Sequence, residues 1–378
     1  MDDVFCINPF VHLLVETNGR TSFCCLAKRT PNDQNINTHK VDDAWHDPVR
    51  NSVIESIHRG EQNPACRFCW RTESLGAVSH RQITNKRFLV NQSNYKKFLP
   101  LITSGETFVD MEIQHTNICN LKCGMCDEKS THSLAAENRR LGISDNLTVY
   151  DWDIKKILDR ISQTKWLSIR GGEPLINQQL KDQVNHWIDE GMLDDTTVCI
   201  TTNATKIASW LHTLERIPKL QFMVSADGAG EVYNYIRFPG DWDTTSANIL
   251  KLQTIAPVMI NCVVQNVNIF NLDKLIEWAD KNKIPIDLYP IDNPRIYRTI
   301  NLPQGLLDSS LKKLEQLNLT QKTSRDQLNG IIQYLKSHTS DMELWDEFWH
   351  MTYMRQSIRK NSILDVFPEL SNYERPRL

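Results

Sequence analysis

Two kinds of hydrophobic segment are missing from this sequence. No uncharged apolar run approaches the roughly 18 residues that a membrane-spanning helix needs, so we expect no membrane partner. The first residues, Met1-Asp2-Asp3-Val4, lack the basic start and apolar core of a secretory signal. Without either segment, the sequence predicts a cytoplasmic location.

A strong charge imbalance is also missing. The 378 residues carry a formal net charge of −3, and the sequence pI is about 6.4. A protein that binds nucleic acid or anionic membranes through its overall charge needs a marked excess of basic residues. The balance therefore gives no case for a nucleic-acid partner. A hydrophobic content of 40% is enough for a large core or two to three domains.

The ten cysteines do not form a pattern typical of a disulfide framework. Disulfide-rich chains are short and exported, whereas this chain is long and clusters its cysteines in C-x-x-C patterns. That arrangement indicates metal binding in a reducing compartment. Cys199 and Cys262 stand apart inside apolar runs, and we expect both to be small buried hydrophobic residues.

The most informative segment is Cys119-Asn-Leu-Lys-Cys123-Gly-Met-Cys126, which has the spacing C-x3-C-x2-C. Three thiolates can hold a [4Fe–4S] cluster and leave its fourth iron open to a substrate or cofactor. A four-cysteine electron-transfer cluster has no such open position. The alternatives for this triad are a structural zinc site and an ordinary iron–sulfur site.

The middle of the chain predicts an alternation of strands and helices. Short β-branched or apolar runs are typical of buried parallel strands. The predicted strands are 108–114, 166–169, 198–202, 220–225, 259–265 and 286–289. Between them, the periodicity predicts a helix that ends at Gly191, a helix that Asn271 caps, and a helix after the cysteines that ends at Gly142. This alternation predicts a parallel α/β barrel or open sheet.

Polar residues collect at the carboxyl ends of these predicted strands. Parallel α/β barrels build their active sites at that rim, so the shared position of these residues indicates one site. The segments are His115-Thr116-Asn117, Arg170-Gly171-Gly172-Glu173, Thr201-Thr202-Asn203, Ser225-Ala226-Asp227-Gly228, Gln265-Asn266 and Tyr289-Pro290. No general acid or base is assigned among them, although Asp227, His115 and Tyr289 are placed at this rim.

The triad and the later Gly171-Gly172-Glu173-Pro174 together resemble the radical SAM superfamily, over about residues 104–295. The resemblance implies that Cys119, Cys123 and Cys126 hold a [4Fe–4S] cluster whose open iron S-adenosylmethionine chelates. It also implies reductive cleavage of that cofactor to a 5′-deoxyadenosyl radical, which abstracts hydrogen from an unactivated carbon. In such enzymes the cofactor supplies the chemistry, and the protein supplies position and shielding.

The resemblance also implies cofactor-binding residues. Gly171 and Gly172 let the backbone approach the methionyl group closely, and Glu173 accepts a charge-assisted hydrogen bond from its ammonium. Ser225 and Asp227 match a segment near the ribose or carboxylate of the cofactor. The alternatives are a helix N-terminal carboxylate for Glu173 and simple turn residues for Ser225 and Asp227.

Four further residues follow from the same resemblance. Arg237 is expected to pair with the methionyl carboxylate, and a surface salt bridge is the alternative. Asn203 and Gln265 are expected to line the cofactor pocket. Met125 stands where the family usually has an aromatic residue, and we expect its polarizable side chain to pack near the adenine.

The N-terminal cysteines form a second pattern. Cys6, Gly19-x4-Cys24 and Cys66-Arg-Phe-Cys69 resemble the auxiliary-cluster domains called SPASM and twitch, here before the barrel and not after it. The resemblance implies an auxiliary [4Fe–4S] cluster held by Cys6, Cys24, Cys66 and Cys69. With a single C-x-x-C, the pattern is closer to the smaller twitch version.

Two alternatives stay open for this second pattern. Cys25 can replace Cys24 as a ligand or be a bystander. Four thiolates also suit the tetrahedral geometry of a structural zinc ion. A closed four-cysteine iron–sulfur cluster would favour electron transfer over chelation of a substrate.

Two flanking regions complete the sequence. Between Ser74 and Gly105 no acidic residue occurs, which predicts a solvated linker or a contact for an acidic leader peptide or phosphate-bearing substrate. The basic residues there are Arg81, Lys86, Arg87, Lys96 and Lys97. The aromatic tail that begins at Trp345 predicts a C-terminal helix that packs over the barrel or closes the substrate chamber.

These observations predict an α/β fold with a partial (β/α)6 TIM-like barrel over residues 104–295. A SPASM/twitch-like domain and linker over 1–103 precede it, and a helical extension over 296–378 follows it. The predicted function is a radical SAM oxidoreductase-type enzyme that oxidises or cross-links a peptide, reduced by an external donor such as flavodoxin or ferredoxin. The alternatives are a small-molecule or nucleotide-modifying radical SAM dehydrogenase and a non-catalytic iron–sulfur or zinc scaffold.

Overall fold

The structure is a computed structural model, and it describes residues 4–28, 34–74, 78–89, 108–337 and 339–376. Strands and helices alternate through most of these residues. The strands are β1 (His12–Val15), β2 (Thr21–Ser22), β3 (Asp110–Gln114), β4 (Trp166–Arg170), β5 (Thr197–Thr202), β6 (Leu220–Ser225), β7 (Val258–Val264) and β8 (Ile286–Pro290).

The α-helices fall into three groups along the chain. Those before β3 are α1 (Asn8–Val11), α2 (Val41–Trp45), α3 (Pro48–His58), α4 (Arg67–Ser74) and α5 (His80–Leu89). Those between β3 and β8 are α6 (His132–Arg140), α7 (Leu158–Ile161), α8 (Gln178–Asp189), α9 (Leu211–Glu215), α10 (Glu231–Ile236), α11 (Trp242–Gln253) and α12 (Leu272–Lys281). Those after β8 are α13 (Gln304–Glu315), α14 (Lys322–Lys336), α15 (Trp345–Arg359) and α16 (Ile363–Val366).

Each strand predicted from the sequence is present as one of β3 to β8, with ends shifted by two residues at most. These strands differ in how many of their residues are buried. Strands β5 and β7 bury every second residue, whereas β3 buries four of its five. Where pairs are defined among these strands they are parallel. The alternation of parallel strands and helices confirms the predicted α/β class.

The first of two compact units comprises Met1–Asn117, Tyr150–Ile200 and His212–Leu220. In it, β1 pairs antiparallel with β2 and parallel with β3, and β3, β4 and β5 continue in parallel. The sequence patterns did not predict β1, whose apolar run is only four residues long. His12 of β1 pairs with the buried Asp110 of β3 at 3.2 Å.

The N-terminal cysteines belong to a hydrophobic cluster of the first unit. Cys6 and Cys24 are buried in it together with Phe10 and Val53. Helix α3, which supplies Val53, starts at Asp47, whose Oδ1 accepts the N–H of Val49 at 2.7 Å and caps the helix. Cys6 and Cys24 are therefore held in a packed hydrophobic core.

The prediction of a solvated linker is wrong at Arg81, which has a fixed position in the core of this region. Arg81 is buried, donates two hydrogen bonds to Glu73, and lies 4.6 Å from the Trp70 ring centroid. Its Nη1–H also donates to the carbonyl of Phe5 at 2.7 Å. A neutralised, packed guanidinium holds the region together. The side chains of Arg87, Lys96 and Lys97 lie outside the described residues.

The second unit comprises Ile118–Val149, Thr201–Leu211 and Gln221–Leu378. Strands β6, β7 and β8 pair in parallel, with Val224 opposite Ile260 and Ile260 opposite Ile286. Helix α12 follows the predicted periodicity and buries Leu275 and Ile276. The predicted helical region after residue 296 is present as α13 to α16.

Several local predictions can be compared directly with the structure. Gly191 follows α8 with a φ of +67°, as its predicted role at the helix end requires. Asn271 stands at the N-cap position of α12 but makes no side-chain capping bond. Cys262 is buried as expected, whereas Cys199 is only partly buried. No helix among the described residues is long and apolar enough to cross a membrane.

Candidate functional site

The cysteines of the C-x3-C-x2-C segment lie in a loop of the second unit that leads into α6. The Sγ atom of Cys119 accepts a hydrogen bond from the backbone N–H of Leu121 at 3.4 Å. Such a bond stabilises a thiolate, which is the form that binds metal. The hydrogen bond between the side chains of Cys123 and Cys126 lowers the pKa of Cys126 to about 7 and raises that of Cys123, which is also buried.

Asn203, a predicted pocket residue, contacts this loop. Its Nδ2 atom lies 3.8 Å from Sγ of Cys119 and 3.1 Å from Oδ1 of Asn120. Asn120 in turn donates to the hydroxyl of Thr205 at 2.8 Å, and Oδ1 of Asn203 accepts the N–H of Thr205 at 3.0 Å. The segment after β5 therefore braces the cysteine loop. The sequence did not point to Asn120 or Thr205.

The predicted residues Asp227 and Arg237 bind each other. The Nε and Nη2 atoms of Arg237 each lie 2.8 Å from Oδ2 of Asp227, and Oδ1 of Asp227 accepts the N–H of Val263 at 2.8 Å. Both side chains are buried, so the surface salt bridge considered for Arg237 is wrong. Burial raises the pKa of Asp227, although Arg237 opposes this effect.

The positive charge of Arg237 also interacts with the cysteines of the loop. Burial alone would lower its pKa, but the charges of Asp227, Cys123 and Cys126 raise it above its ordinary value. A cation near thiolates stabilises their charged form. Arg237 is thus placed to stabilise an anionic cluster, while its predicted contact with the methionyl carboxylate stays a prediction. Ser225, its predicted neighbour in the pocket, is the last residue of β6.

The Gly171-Gly172-Glu173 segment lies in the first unit, directly after β4. Gly171 has a φ of +141°, and a Cβ atom there would lie 2.7 Å from the carbonyl oxygen of Thr116. Gly172 donates its N–H to the same oxygen at 2.6 Å. Glu173 is buried, and its Oε1 accepts the N–H of Leu175 at 3.0 Å. Only glycine fits this close approach, and the Glu173 carboxylate caps the following turn.

His115 and Tyr289, the two other rim residues, make hydrogen bonds to neighbouring residues. His115 is buried, with Nε2 3.0 Å from the carbonyl of Trp152 and Nδ1 3.1 Å from Nδ2 of Asn177. Burial lowers the pKa of His115, so its neutral form is favoured. Tyr289 is 38% exposed and donates its hydroxyl to Asp287 at 2.5 Å. These contacts assign no general acid or base.

A cavity in the second unit lies beside Gly124 and Met125 of the cysteine loop. Buried polar atoms of its lining have no hydrogen-bond partner among the described residues; they are Gln265 Nε2, Arg355 Nε, Gln356 Nε2 and Asn361 Oδ1. Leaving such a group unpaired costs about 1–3 kcal/mol. These four atoms therefore offer three donors and one acceptor to a small polar group.

Helix α15 forms one wall of this cavity and is anchored next to the cysteines. The guanidinium of Arg359 donates to Oε1 of Glu137 at 2.5 Å and to the carbonyl of Lys122 at 2.5 Å. Arg355 donates to the hydroxyl of Tyr297. A Cβ atom at Gly124 would lie 2.7 Å from that hydroxyl, so the loop needs glycine there. The predicted C-terminal helix is present, and its aromatic residues Trp345, Phe348 and Trp349 are buried.

The N-terminal cysteines of the first unit lie close enough to influence one another. Burial, together with the nearby Cys66 and Cys69, raises the pKa of Cys6 to about 12. Burial and Cys69 raise that of Cys66 to about 11. The backbone N–H of Leu26 donates to Sγ of Cys24 at 3.4 Å, as Leu121 does to Cys119. None of the ten cysteines, all of which lie among the described residues, forms a disulfide.

Both donor sets fit iron–sulfur clusters. The cysteine loop of the second unit offers three thiols with one backbone N–H bond to sulfur, and the N-terminal region of the first unit offers five, of which Cys6, Cys24 and Cys69 are buried. Burial raises the pKa of Cys6 and Cys66, and the hydrogen bond between Cys123 and Cys126, together with burial, raises the pKa of Cys123, whereas the same bond lowers that of Cys126. The unpaired atoms of the cavity likewise fit a polar cofactor or substrate. The ligand set Cys119, Cys123 and Cys126, with Cys6, Cys24, Cys66 and Cys69, stays a prediction.

Comparison with protein families identifies two regions. Residues 113–279 match the radical SAM superfamily, and residues 6–70 match the SPASM iron–sulfur cluster-binding domain. GTP 3′,8-cyclase from Clostridium perfringens (strain SM101 / Type A) is 26% identical over 233 residues, which are 60% of this chain and 68% of the cyclase.

Two solved structures show a weaker likeness. Native anSMEcpe with bound AdoMet has a TM-score of 0.41 and 18% identity, over 54% of this chain and 59% of that chain. Streptococcus suis SuiB bound to precursor peptide SuiA has a TM-score of 0.41 and 14% identity, over 89% of this chain and 71% of that chain. The chain thus spans less than two thirds of the first of these structures.

Proposed function

Because this chain combines a radical SAM domain with a SPASM iron–sulfur domain, we propose that it is an enzyme that oxidises or cross-links a peptide. These domains bind [4Fe–4S] clusters and S-adenosylmethionine. The bound cofactor supplies a 5′-deoxyadenosyl radical that abstracts hydrogen from the substrate. The protein supplies the ligands, the position of the substrate and the exclusion of water.

The observation that carries this proposal is the cavity beside the cysteine loop. Gln265, Arg355 and Gln356 direct unpaired N–H donors to its lining, and Asn361 adds one unpaired acceptor. Peptide bonds offer the complementary groups, a carbonyl oxygen and an N–H in each residue. The cavity holds about 30 Å³, which is room for one small polar group of a peptide and not for a longer segment of chain.

The predicted cluster and cofactor residues have separate roles in the proposal. Cys119, Cys123 and Cys126 hold the cluster that binds the cofactor, and Arg237 stabilises their thiolates. Glu173 would accept a hydrogen bond from the ammonium of the methionyl group, and its burial would strengthen this charge-assisted contact. Helix α15 keeps water from the cavity, which protects a reactive intermediate.

The SPASM domain adds a second cluster to the proposal, held by Cys6, Cys24, Cys66 and Cys69. The substrate loses more electrons in an oxidation or cross-link than the abstracted hydrogen alone removes. A second cluster can accept such an electron. We propose that an external donor such as flavodoxin or ferredoxin reduces the protein before each turnover.

A nucleotide is the second candidate substrate. The similarity to GTP 3′,8-cyclase covers 68% of that enzyme, and the unpaired guanidinium Nε of Arg355 would suit a phosphate or a purine acceptor as well as a carbonyl. The two candidates differ in products that mass spectrometry separates directly.

The test uses reconstituted holoprotein with S-adenosylmethionine and a strong reductant. Incubation with a candidate precursor peptide should yield that peptide with a mass lower by two hydrogens. A deuterated peptide should transfer deuterium into 5′-deoxyadenosine. An unchanged peptide together with a new product from GTP would contradict the peptide proposal and support the nucleotide.

A matched pair of variants tests the cavity itself. Gln356→Leu removes one unpaired donor of the lining, and we expect kcat/KM for the peptide to fall about tenfold, which corresponds to about 1.4 kcal/mol. Ser357→Ala, at the exposed neighbouring residue of α15, should leave it unchanged. Equal values for both variants would remove the cavity from the substrate site.

A further inference from the structure

The N-terminal cluster site has more donor side chains than one cluster needs. A [4Fe–4S] cluster takes four ligands, yet five cysteines lie in this region and His80 joins them. The donor atoms of Cys24, Cys25 and His80 all lie within 4.8 Å of one another. Sγ of Cys25 is 3.9 Å from Nε2 of His80.

These separations are those that a single metal ion imposes on its ligands. Two thiolates about 2.3 Å from one tetrahedral ion lie roughly 3.8 Å apart, and a thiolate and an imidazole lie slightly closer. Little backbone movement is therefore needed for Cys24, Cys25 or His80 to reach the same ion. Since each iron of a [4Fe–4S] cluster takes one protein ligand, these donors would be alternatives for one position on it.

The members of the triad differ in how they are held. Cys24 is buried, and its sulfur already accepts the N–H of Leu26 at 3.4 Å. Cys119, the first cysteine of the other cluster segment, has the same contact two residues along the chain. Cys25 is exposed and faces His80. Cys24 is the buried member that a closed cluster would take as its resting ligand, and Cys25 hydrogen-bonds to both Cys24 and His80.

We propose that Cys24, Cys25 and His80 form an exchangeable ligand position for one iron of the auxiliary cluster. In the exchange, the Cys25 thiolate bonds to the iron as the iron bond to Cys24 breaks, and the proton of the Cys25 thiol passes to Cys24. Neither the oxidation state nor the charge of the cluster changes. His80 holds the Cys25 sulfur in place through its hydrogen bond.

The consequence is one labile iron in an otherwise closed cluster. An iron whose ligand exchanges is the one at which a substrate atom can bind in turn. The inference goes beyond the proposed reaction and does not depend on cleavage of S-adenosylmethionine. It can be tested on protein that lacks the other cluster.

The test starts from the variant in which Cys119, Cys123 and Cys126 are all alanine, so that only the auxiliary cluster remains. We expect about four irons and four sulfides per chain in this parent and again after Cys24→Ala. Cys6→Ala is the matched control, because Cys6 is buried and lies outside the triad. It should lose the cluster or reduce it to three irons.

Two outcomes of this comparison are decisive. Cys24→Ala/Cys25→Ala should fall to the level of Cys6→Ala, because both thiolate alternatives are then gone. Iron loss in Cys24→Ala equal to that in Cys6→Ala would overturn the exchange. Circular dichroism of each variant separates loss of the cluster from failure to fold, and Cys24→Ser repeats the test with a side chain of similar volume.

Alkylation with iodoacetamide provides a second readout. In the parent holoprotein Cys25 should be alkylated, because it is exposed and not bound to iron in the resting state. In holo Cys24→Ala it should be protected by iron. Continued alkylation of Cys25 in that variant would contradict the exchange. His80→Ala in the Cys24→Ala background should lose iron to a chelator at least about twofold faster, and an unchanged rate would remove His80 from the position.

Discussion

Replacing Arg359 with methionine is expected to destabilise the second unit by about 3–5 kcal/mol. The guanidinium contacts the Glu137 carboxylate through Nη2 at 2.5 Å and through Nε at 3.1 Å to each oxygen. The side chains of Arg359 and Glu137 are 6% and 1% exposed. Removing the cation therefore leaves a buried carboxylate without a partner, which is the costly way to break an ion pair.

The same substitution should loosen the cysteine loop, because Arg359 also donates to the carbonyl of Lys122. For a unit of about 200 residues, each kcal/mol moves Tm by roughly 2–4 °C, so the variant should melt about 10 °C lower. Anaerobic circular dichroism of the holoprotein measures Tm, and iron analysis before and after heating reports the cluster.

The double variant Glu137→Met/Arg359→Met is the control. Two apolar side chains of similar volume leave no buried charge, so it should recover most of the lost stability. A shift below about 2 °C in Arg359→Met, or a double variant no more stable than the single one, would refute this account of how α15 is anchored.

Three further predictions follow from the site. Arg237→Met should destabilise the protein less at about pH 5 than at about pH 8, because burial raises the folded-state pKa of Asp227, loss of the opposing Arg237 raises it further, and a buried carboxyl is penalised only as the pH rises through its pKa; equal losses at both pH values would contradict this. Gly171→Ala should cost about 1–3 kcal/mol, since its φ of +141° and the nearby Thr116 oxygen leave no room for Cβ, and an unchanged melting curve would argue against that strain. Reconstituted protein should contain about eight irons per chain, and Cys123→Ala about half of them; zinc without sulfide would instead support the scaffold.

The strands and the cysteine loop could be predicted because their signals are local. A buried strand such as β6 is a short apolar run, and the C-x3-C-x2-C spacing lies within eight residues. Strand β1 escaped prediction, because its apolar run is only four residues long. The Asp227–Arg237 pair was predicted as two separate cofactor contacts, since nothing in the sequence shows that each neutralises the other.

Contacts between distant segments could not be predicted in the same way. Arg359 and Glu137 are 222 residues apart in the chain, and each is an ordinary charged helix residue in the sequence. His80 lies 55 residues from Cys25 and stood in a region read as a linker. The packing of a core brings such residues together, and no short motif records it.

The most direct measurement is the yield of 5′-deoxyadenosine from S-adenosylmethionine under anaerobic reduction. Reconstituted wild-type protein should form it, and Cys199→Ala, which alters a cysteine of β5 outside both cluster segments, should match it. Cys123→Ala should reduce the yield to the level of the reductant alone. Absence of 5′-deoxyadenosine from the wild type, or an equal yield from Cys123→Ala, would contradict the assignment of this chain as a radical enzyme.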